Sequence, residues 1–181
     1  MIGFIGLGNM ASAMIGGILK KGLAESAEII GSCRTEATRK QIRDKYGIRT
    51  VSDNRQVANG ADILILAVKP NVLQEVIREI RMEVSSHCLV VSIAAGRSLE
   101  WLKEAFDRPE VKVIRCMPNT PALVLEGCTG ICAGEEVTRE ELERVVELAE
   151  SFGKARVVPE RLMDAVVGVS GSSPAYVFLF I

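Results

Sequence analysis

The feature that most constrains this chain is its first eleven residues. Ile2 to Ile5 is an apolar run too short, and too soon interrupted by glycine, to be a helix, and Gly6-Leu7-Gly8-Asn9-Met10-Ala11 follows it at once. A GxGxxA turn between a strand and a helix needs each small residue for its own reason. Gly6 permits the tight turn, Gly8 lets the backbone approach a pyrophosphate with no Cβ in the way, and Ala11 lets the helix lie close to the strand. The N-terminus of that helix then offers unpaired N–H groups to phosphate. Glycines also mark ordinary turns, but the strand-turn-helix setting favours a dinucleotide site.

Beyond this turn, short apolar runs alternate with longer amphipathic segments. Helices are predicted over Met10 to Lys21, stopping at Gly22; over Thr35 to Tyr46, with Arg39, Lys40, Arg43 and Asp44 on its wet face; and over Asn54 to Gly60, Val72 to Ile80, Leu99 to Phe106 and Arg139 to Phe152. Strands are predicted at Glu28 to Ser32, Ile48 to Val51, Asp62 to Val68, Leu89 to Ile93, Lys112 to Cys116, Gly127 to Ala133 and Ala155 to Val158. The run Asp62 to Val68 (DILILAV) is of the kind buried on both faces of a parallel sheet. Such an order predicts an α/β fold over residues 1–159, a doubly wound Rossmann-type parallel sheet with right-handed crossovers. From Glu160 the pattern changes. Leu162 to Val167 looks helical, Gly168 to Ser173 reads as a Gly/Ser loop, and Pro174 starts an apolar helix ending in Phe178, Leu179, Phe180 and Ile181. A helix that is apolar all round needs partners on every side. Residues 160–181 are therefore expected to begin an all-helical second domain that is truncated, or to make a swapped contact with another chain.

Charge narrows the partners. Lys and Arg number 22 against 23 Asp and Glu, which argues against a polyanion-binding surface and so against nucleic acid. The five cysteines (Cys33, Cys88, Cys116, Cys128, Cys132) are odd in number and form no CxxC pair, so neither a disulfide ladder nor a zinc knuckle is expected, and no metal. There is no basic leader before a long apolar stretch, and no run of about 18 apolar residues. A soluble protein of a reducing compartment, the cytoplasm, with no membrane partner, is the expectation.

The end of the second strand decides which dinucleotide. An NAD site usually carries a carboxylate there for the ribose hydroxyls, whereas a 2′-phosphate calls for donors and positive charge. The residues are Ser32, Cys33, Arg34 and Thr35, with no acid among them. Hydroxyl, guanidinium and hydroxyl can bind a phosphate, which favours NADP, and NADPH over NADH. The alternative is an arginine and a hydroxyl N-cap on a surface helix.

Three further stretches go beyond a generic fold: Ala67-Val68-Lys69-Pro70, Ser92-Ile93-Ala94-Ala95-Gly96, and Arg115-Cys116-Met117-Pro118-Asn119-Thr120-Pro121. With a fourth, Gly168-Val169-Ser170-Gly171-Ser172-Ser173-Pro174-Ala175-Tyr176, they resemble the pyrroline-5-carboxylate reductases over the whole chain. The resemblance implies NADPH-dependent reduction of the cyclic imine 1-pyrroline-5-carboxylate to L-proline, the last step of proline biosynthesis. It implies that Gly6 to Ala11 hold the pyrophosphate, that Ser32 and Arg34 hold the 2′-phosphate, and that Asn54 touches the cofactor. Val68, Lys69 and Pro70 would lie along it, Ala94, Ala95 and Gly96 near the nicotinamide, and Met117, Pro118 and Asn119 on the adjoining wall. Glu160 resembles a glutamate that approaches the substrate; a solvated residue in a first helical turn is the other reading. The sole histidine, His87, is read as a surface residue. The family's main substrate-binding segment would lie beyond Ile181, so that a chain ending there could bind NADP without reducing the imine, and the family pairs as homodimers or rings of dimers. Two rivals stay open: another NADP-dependent Rossmann reductase, of the deazaflavin-dependent type, and an NADP-binding sensor or interaction module without catalysis.

Overall fold

The computed structural model describes residues 1–181, apart from the side chains of Ser173 and Pro174. Its strands are β1 (Ile2–Ile5), β2 (Ile29–Ser32), β3 (Arg49–Val51), β4 (Ile63–Leu66), β5 (Leu89–Ser92), β6 (Lys112–Met117), β7 (Gly127–Ala133) and β8 (Gly153–Val157). The helices are α1 (Asn9–Lys20), α2 (Glu36–Tyr46), α3 (Asn54–Ala58), α4 (Leu73–Ile80), α5 (Leu99–Phe106), α6 (Arg139–Glu150), α7 (Met163–Val166) and α8 (Ser173–Phe180). Among the described residues the strands form one sheet in the order β3-β2-β1-β4-β5-β6-β7-β8.

The first six strands are parallel, as the alternation of strand and helix demands. Their side chains divide between two faces. Phe4, Ile65, Val91 and Ile114 pack with Ile15 and Ile18 of α1 and with Val145 and Leu148 of α6. Ile5, Leu64, Leu66, Val90 and Val113 pack with α3, with Ile77 of α4 and with Leu102 of α5. Both faces of the central strands are thus covered, which is why they read as unbroken apolar runs.

One strand departs from the parallel arrangement: β7 runs antiparallel to β6, pairing Met117 with Gly130 and Ile114 with Ala133. The link over residues 118–126 holds only a 3-10 turn, Thr120–Val124, and is too short for the crossover a parallel neighbour requires. The helix α6 then supplies such a crossover, so β8 returns parallel to β7. Its start is fixed by Thr138, whose hydroxyl accepts from Glu141 N while the Glu141 carboxylate accepts from Thr138 N.

The Gly/Ser stretch after α7 departs from its expected form. Instead of a loop, Val167–Gly171 is a turn of π-helix closed by the Ser172 N–H on the Val167 carbonyl at 3.0 Å, so the backbone stays helical into α8. The apolar side chains of α8 stand in solvent, with Phe178 78% and Phe180 90% exposed.

Thr129 is buried, and its hydroxyl has no hydrogen-bond partner among the described residues. Thr129→Val, which removes that hydroxyl and keeps the shape, should leave the fold about 1 kcal/mol more stable in urea unfolding. A loss of stability would show that the hydroxyl is satisfied.

All five cysteines are free; Cys128 is exposed, Cys33 half-buried and the other three buried. Burial, with the Asp62 charge adding to it, pushes the Cys88 thiol from 9.0 to about 12. Burial likewise pushes Cys132 to about 11 and raises Cys116. In the native protein a thiol reagent should therefore modify Cys128 first, reaching the buried three only on unfolding. Because these pKa values are raised by folding, the stability they contribute is full below the ordinary value of 9.0 and lost as pH rises through about 11 to 12. Denaturation midpoints should fall across that alkaline window.

Candidate cofactor site

In this sheet the strand order reverses at β1, which lies between β2 and β4. Chains leaving neighbouring strands at such a point diverge to opposite faces and leave a crevice outside the carboxyl ends. A cavity of about 380 Å³ opens there. One wall is the end of β1 and its turn, Ile5 to Gly8; the second is the end of β2, Ser32 to Arg34, with Asn54 beside it. The third is Ala67 to Lys69 after β4, with Val72 and Val76 closing the apolar floor from the α4 side.

The two glycines of the turn differ in kind. Gly6 has φ +96°, and a Cβ on it would stand 2.5 Å from the Ala67 carbonyl oxygen, so the turn itself excludes a side chain. Its N–H donates to the Ser32 carbonyl at 3.0 Å, joining the first two walls. Gly8 is the N-cap of α1 with an extended backbone that any residue could adopt, and a Cβ there would meet no protein atom within 4 Å. Nothing inside the protein calls for glycine at that position. Its missing side chain leaves the backbone open to the cavity. Asn9 and Met10 begin α1 beside it, and Ala11, 1% exposed, packs beneath.

At the end of β2, Ser32 is buried and its hydroxyl donates to Asn54 Oδ1 at 2.7 Å, while Asn54 Nδ2 donates to Glu79 at 2.8 Å. Ser32 has thereby spent its proton, and can only accept from anything in the cavity. Arg34 and Thr35 are exposed, and the Thr35 hydroxyl does not cap α2. Among the described residues neither Arg34 nor Lys69 forms an ion pair. Two unneutralised cations beside a glycine turn, with no carboxylate among the lining residues, give the cavity an anion-binding character.

Other residues singled out in the sequence stand outside this cavity. Pro70 follows Lys69, and its carbonyl accepts from Arg97 at 3.4 Å. Ala94, Ala95 and Gly96 form the loop after β5, with the Ala94 N–H on the Ser92 hydroxyl. Met117 packs against the α5 side of the sheet, and Pro118 lines a small internal void between α1 and α6. Asn119 ties the turn to its surroundings, accepting from Cys128 N at 2.8 Å and donating to the Ser170 hydroxyl at 2.9 Å. Cys33, Ala67, Val72 and Val76 line the cavity without having been singled out for it. Position just after a strand could have flagged Cys33 and Ala67, whereas Val72 and Val76 look like ordinary core.

Glu160 opens a short 3-10 turn after β8, and its Oε1 accepts from Arg115 Nη1 and from Leu99 N, both at 2.7 Å. It thus caps α5 and pairs with an arginine whose side chain is only 8% exposed. His87 is exposed in the loop before β5, as expected.

A glycine turn opening a helix, at the switch point of a doubly wound sheet and facing a cationic strand end, defines a Rossmann-type dinucleotide-binding protein. The chain belongs to the family of NADP oxidoreductases described as coenzyme F420-dependent, whose model matches residues 1–96. Along almost its full length it is homologous to pyrroline-5-carboxylate reductases. It is 43% identical to that of Methanosarcina acetivorans over 177 residues, 98% of this chain and 65% of the relative. The pyrroline-5-carboxylate reductase structure from Coxiella burnetii superposes with a TM-score of 0.92 at 32% identity, covering 99% of this chain and 66% of that one. The Plasmodium falciparum pyrroline carboxylate reductase, solved with NADP bound, gives 0.85 at 31% identity, covering 99% and 65%. The chain thus spans a little under two thirds of the length of these relatives. Among the described residues no helix is long and apolar enough to cross a membrane.

Proposed function

We propose that this chain is the cofactor-binding part of a pyrroline-5-carboxylate reductase: it binds NADPH in preference to NADH and serves the reduction of 1-pyrroline-5-carboxylate to L-proline. The observation that carries this reading is Gly8, a glycine without an internal reason, beside an unpaired Arg34 at a strand end that lacks an acid. In this reading the turn from Gly6 to Ala11 receives the pyrophosphate, with Leu7, Asn9 and Met10 placed by the same turn. Arg34 and Thr35 donate to the 2′-phosphate, and Ser32 with Asn54 supports the ribose side. Val68, Lys69 and Pro70 run along the cofactor toward the loop at Ala94, Ala95 and Gly96, and Met117, Pro118 and Asn119 support the wall beyond.

When bound, the dihydronicotinamide supplies the hydride. The substrate is already an electrophilic imine, so the protein's part is to orient the ring, keep water out and stabilise the nitrogen as it gains its proton. Residues 1–159 form the nucleotide domain and 160–181 open a helical domain that serves the substrate and pairs subunits as a homodimer; the exposed apolar surface of α8 supports this division. The test is NADPH oxidation, followed by near-ultraviolet absorbance, on adding pyrroline-5-carboxylate to the protein carrying whatever chain follows Ile181. Imine-dependent oxidation with proline as product is the expected result. NADPH binding with no turnover would leave a nucleotide-binding module and overturn the reductase.

A further inference from the structure

The strand end that faces the cavity is shaped by a residue that does not line it. Arg39, in the first turns of α2, folds back over the link from Cys33 to Thr35 and leaves its side chain only 13% exposed. Its Nη1 donates to the carbonyl of Cys33 and, at 2.9 Å, to that of Arg34. Its Nε and Nη2 donate to Glu36 Oε2 at 3.0 and 2.5 Å. A planar guanidinium can make these contacts together; a lysine ammonium is a point charge without that fork.

Drawing two successive carbonyls toward one group fixes the planes of two successive peptides. In trans peptides the N–H lies opposite the C=O, so the N–H groups of Arg34 and Thr35 point away from Arg39. Neither donates to a backbone carbonyl among the described residues. The direction in which Arg34 leaves the main chain is fixed by the same two planes. Glu36 pairs with Arg39 at 2.5 Å and more loosely with Arg43 at 3.8 Å, so Arg39 brings no lone charge to the link and its part there is geometric, whereas Arg34 forms no ion pair among the described residues.

We propose that Arg39 is the positioning residue that sets selectivity for a 2′-phosphomonoester on the adenosine ribose: it touches no ligand, and holds the 33–35 link so that Arg34 and two free N–H groups converge on that phosphate. This rests on reading the cavity as an NADP site. The probes are 2′,5′-ADP and ADP, titrated calorimetrically into the wild-type protein, R39K and R39Q, each checked for an unchanged melting temperature. R39K, which keeps the charge and loses the fork, should bind 2′,5′-ADP about tenfold more weakly while its ADP affinity changes less than about twofold. R39Q should show the same selective loss in a protein without that charge. Equal losses for both probes would make Arg39 a merely structural support, and no loss would make it irrelevant; either overturns the proposal. A wild-type protein that binds 2′,5′-ADP no more tightly than ADP would instead sink the NADP reading beneath it.

Discussion

Gly8→Val should cost NADPH affinity on the order of a hundredfold while leaving the fold intact, because backbone hydrogen bonds to a charged phosphate are each worth about 1.5–3 kcal/mol. A Cβ at Gly8 meets no protein atom within 4 Å and needs no unusual backbone angle, so stability should fall by no more than the roughly 1 kcal/mol that replacing an N-cap glycine with valine costs. Its neighbour gives the opposite pattern. Gly6→Ala would force a Cβ to within 2.5 Å of the Ala67 carbonyl oxygen at φ +96°, prising the ends of β1 and β4 apart. A loss on the order of 3 kcal/mol is expected there, read by urea unfolding. The pair separates a glycine kept for the ligand from one kept for the turn. If Gly8→Val bound NADPH as the wild type does, the pyrophosphate would not lie on this turn.

Glu160→Ala should destabilise the protein by about 2–3 kcal/mol, somewhat less than for a fully buried pair because the Glu160 side chain is 36% exposed. The loss has two parts: Arg115, nearly buried in β6, is left without its counter-charge, and the first N–H of α5 loses its acceptor. Adding Arg115→Met should restore at least half of it, since no charge is then left buried. A stabilising role predicts that Glu160→Gln, which retains a carbonyl acceptor, falls between wild type and alanine in stability. Were Glu160 instead a group that meets the substrate, Glu160→Gln would depress turnover with stability unchanged, and the double substitution would rescue nothing.

The strands were legible where burial on both faces makes the sequence continuously apolar, as in Ile63 to Leu66 and Leu89 to Ser92. Strand direction was not, because a pleat of period two reads the same in either sense; only the short link over residues 118–126 turns β7 around. The stretch Gly168 to Ser173 misled through composition, since glycine and serine suggest a loop while the bond from Ser172 to Val167 keeps the backbone wound. In the site, Gly6, Gly8, Ser32, Arg34, Val68 and Lys69 are legible because they follow strands or open helices, and Asn54 only through the family resemblance. Arg39 is not. Helical spacing assigns it to the wet face of α2, and nothing in that spacing tells that its flexible stem bends back to the carbonyls of Cys33 and Arg34. Glu160 resembles a substrate-side glutamate and equally suits a solvated first helical turn; that its carboxylate engages Arg115, 45 residues away, is something local pattern does not reveal.

Whether the cavity selects a 2′-phosphate is read by an equilibrium titration of the same protein with NADPH and with NADH, followed by nucleotide fluorescence. Saturable binding of both is expected, with NADPH at least about tenfold tighter because Arg34 and its neighbouring donors meet a charge that NADH lacks. Equal affinities, or binding of neither, would contradict the NADP reading.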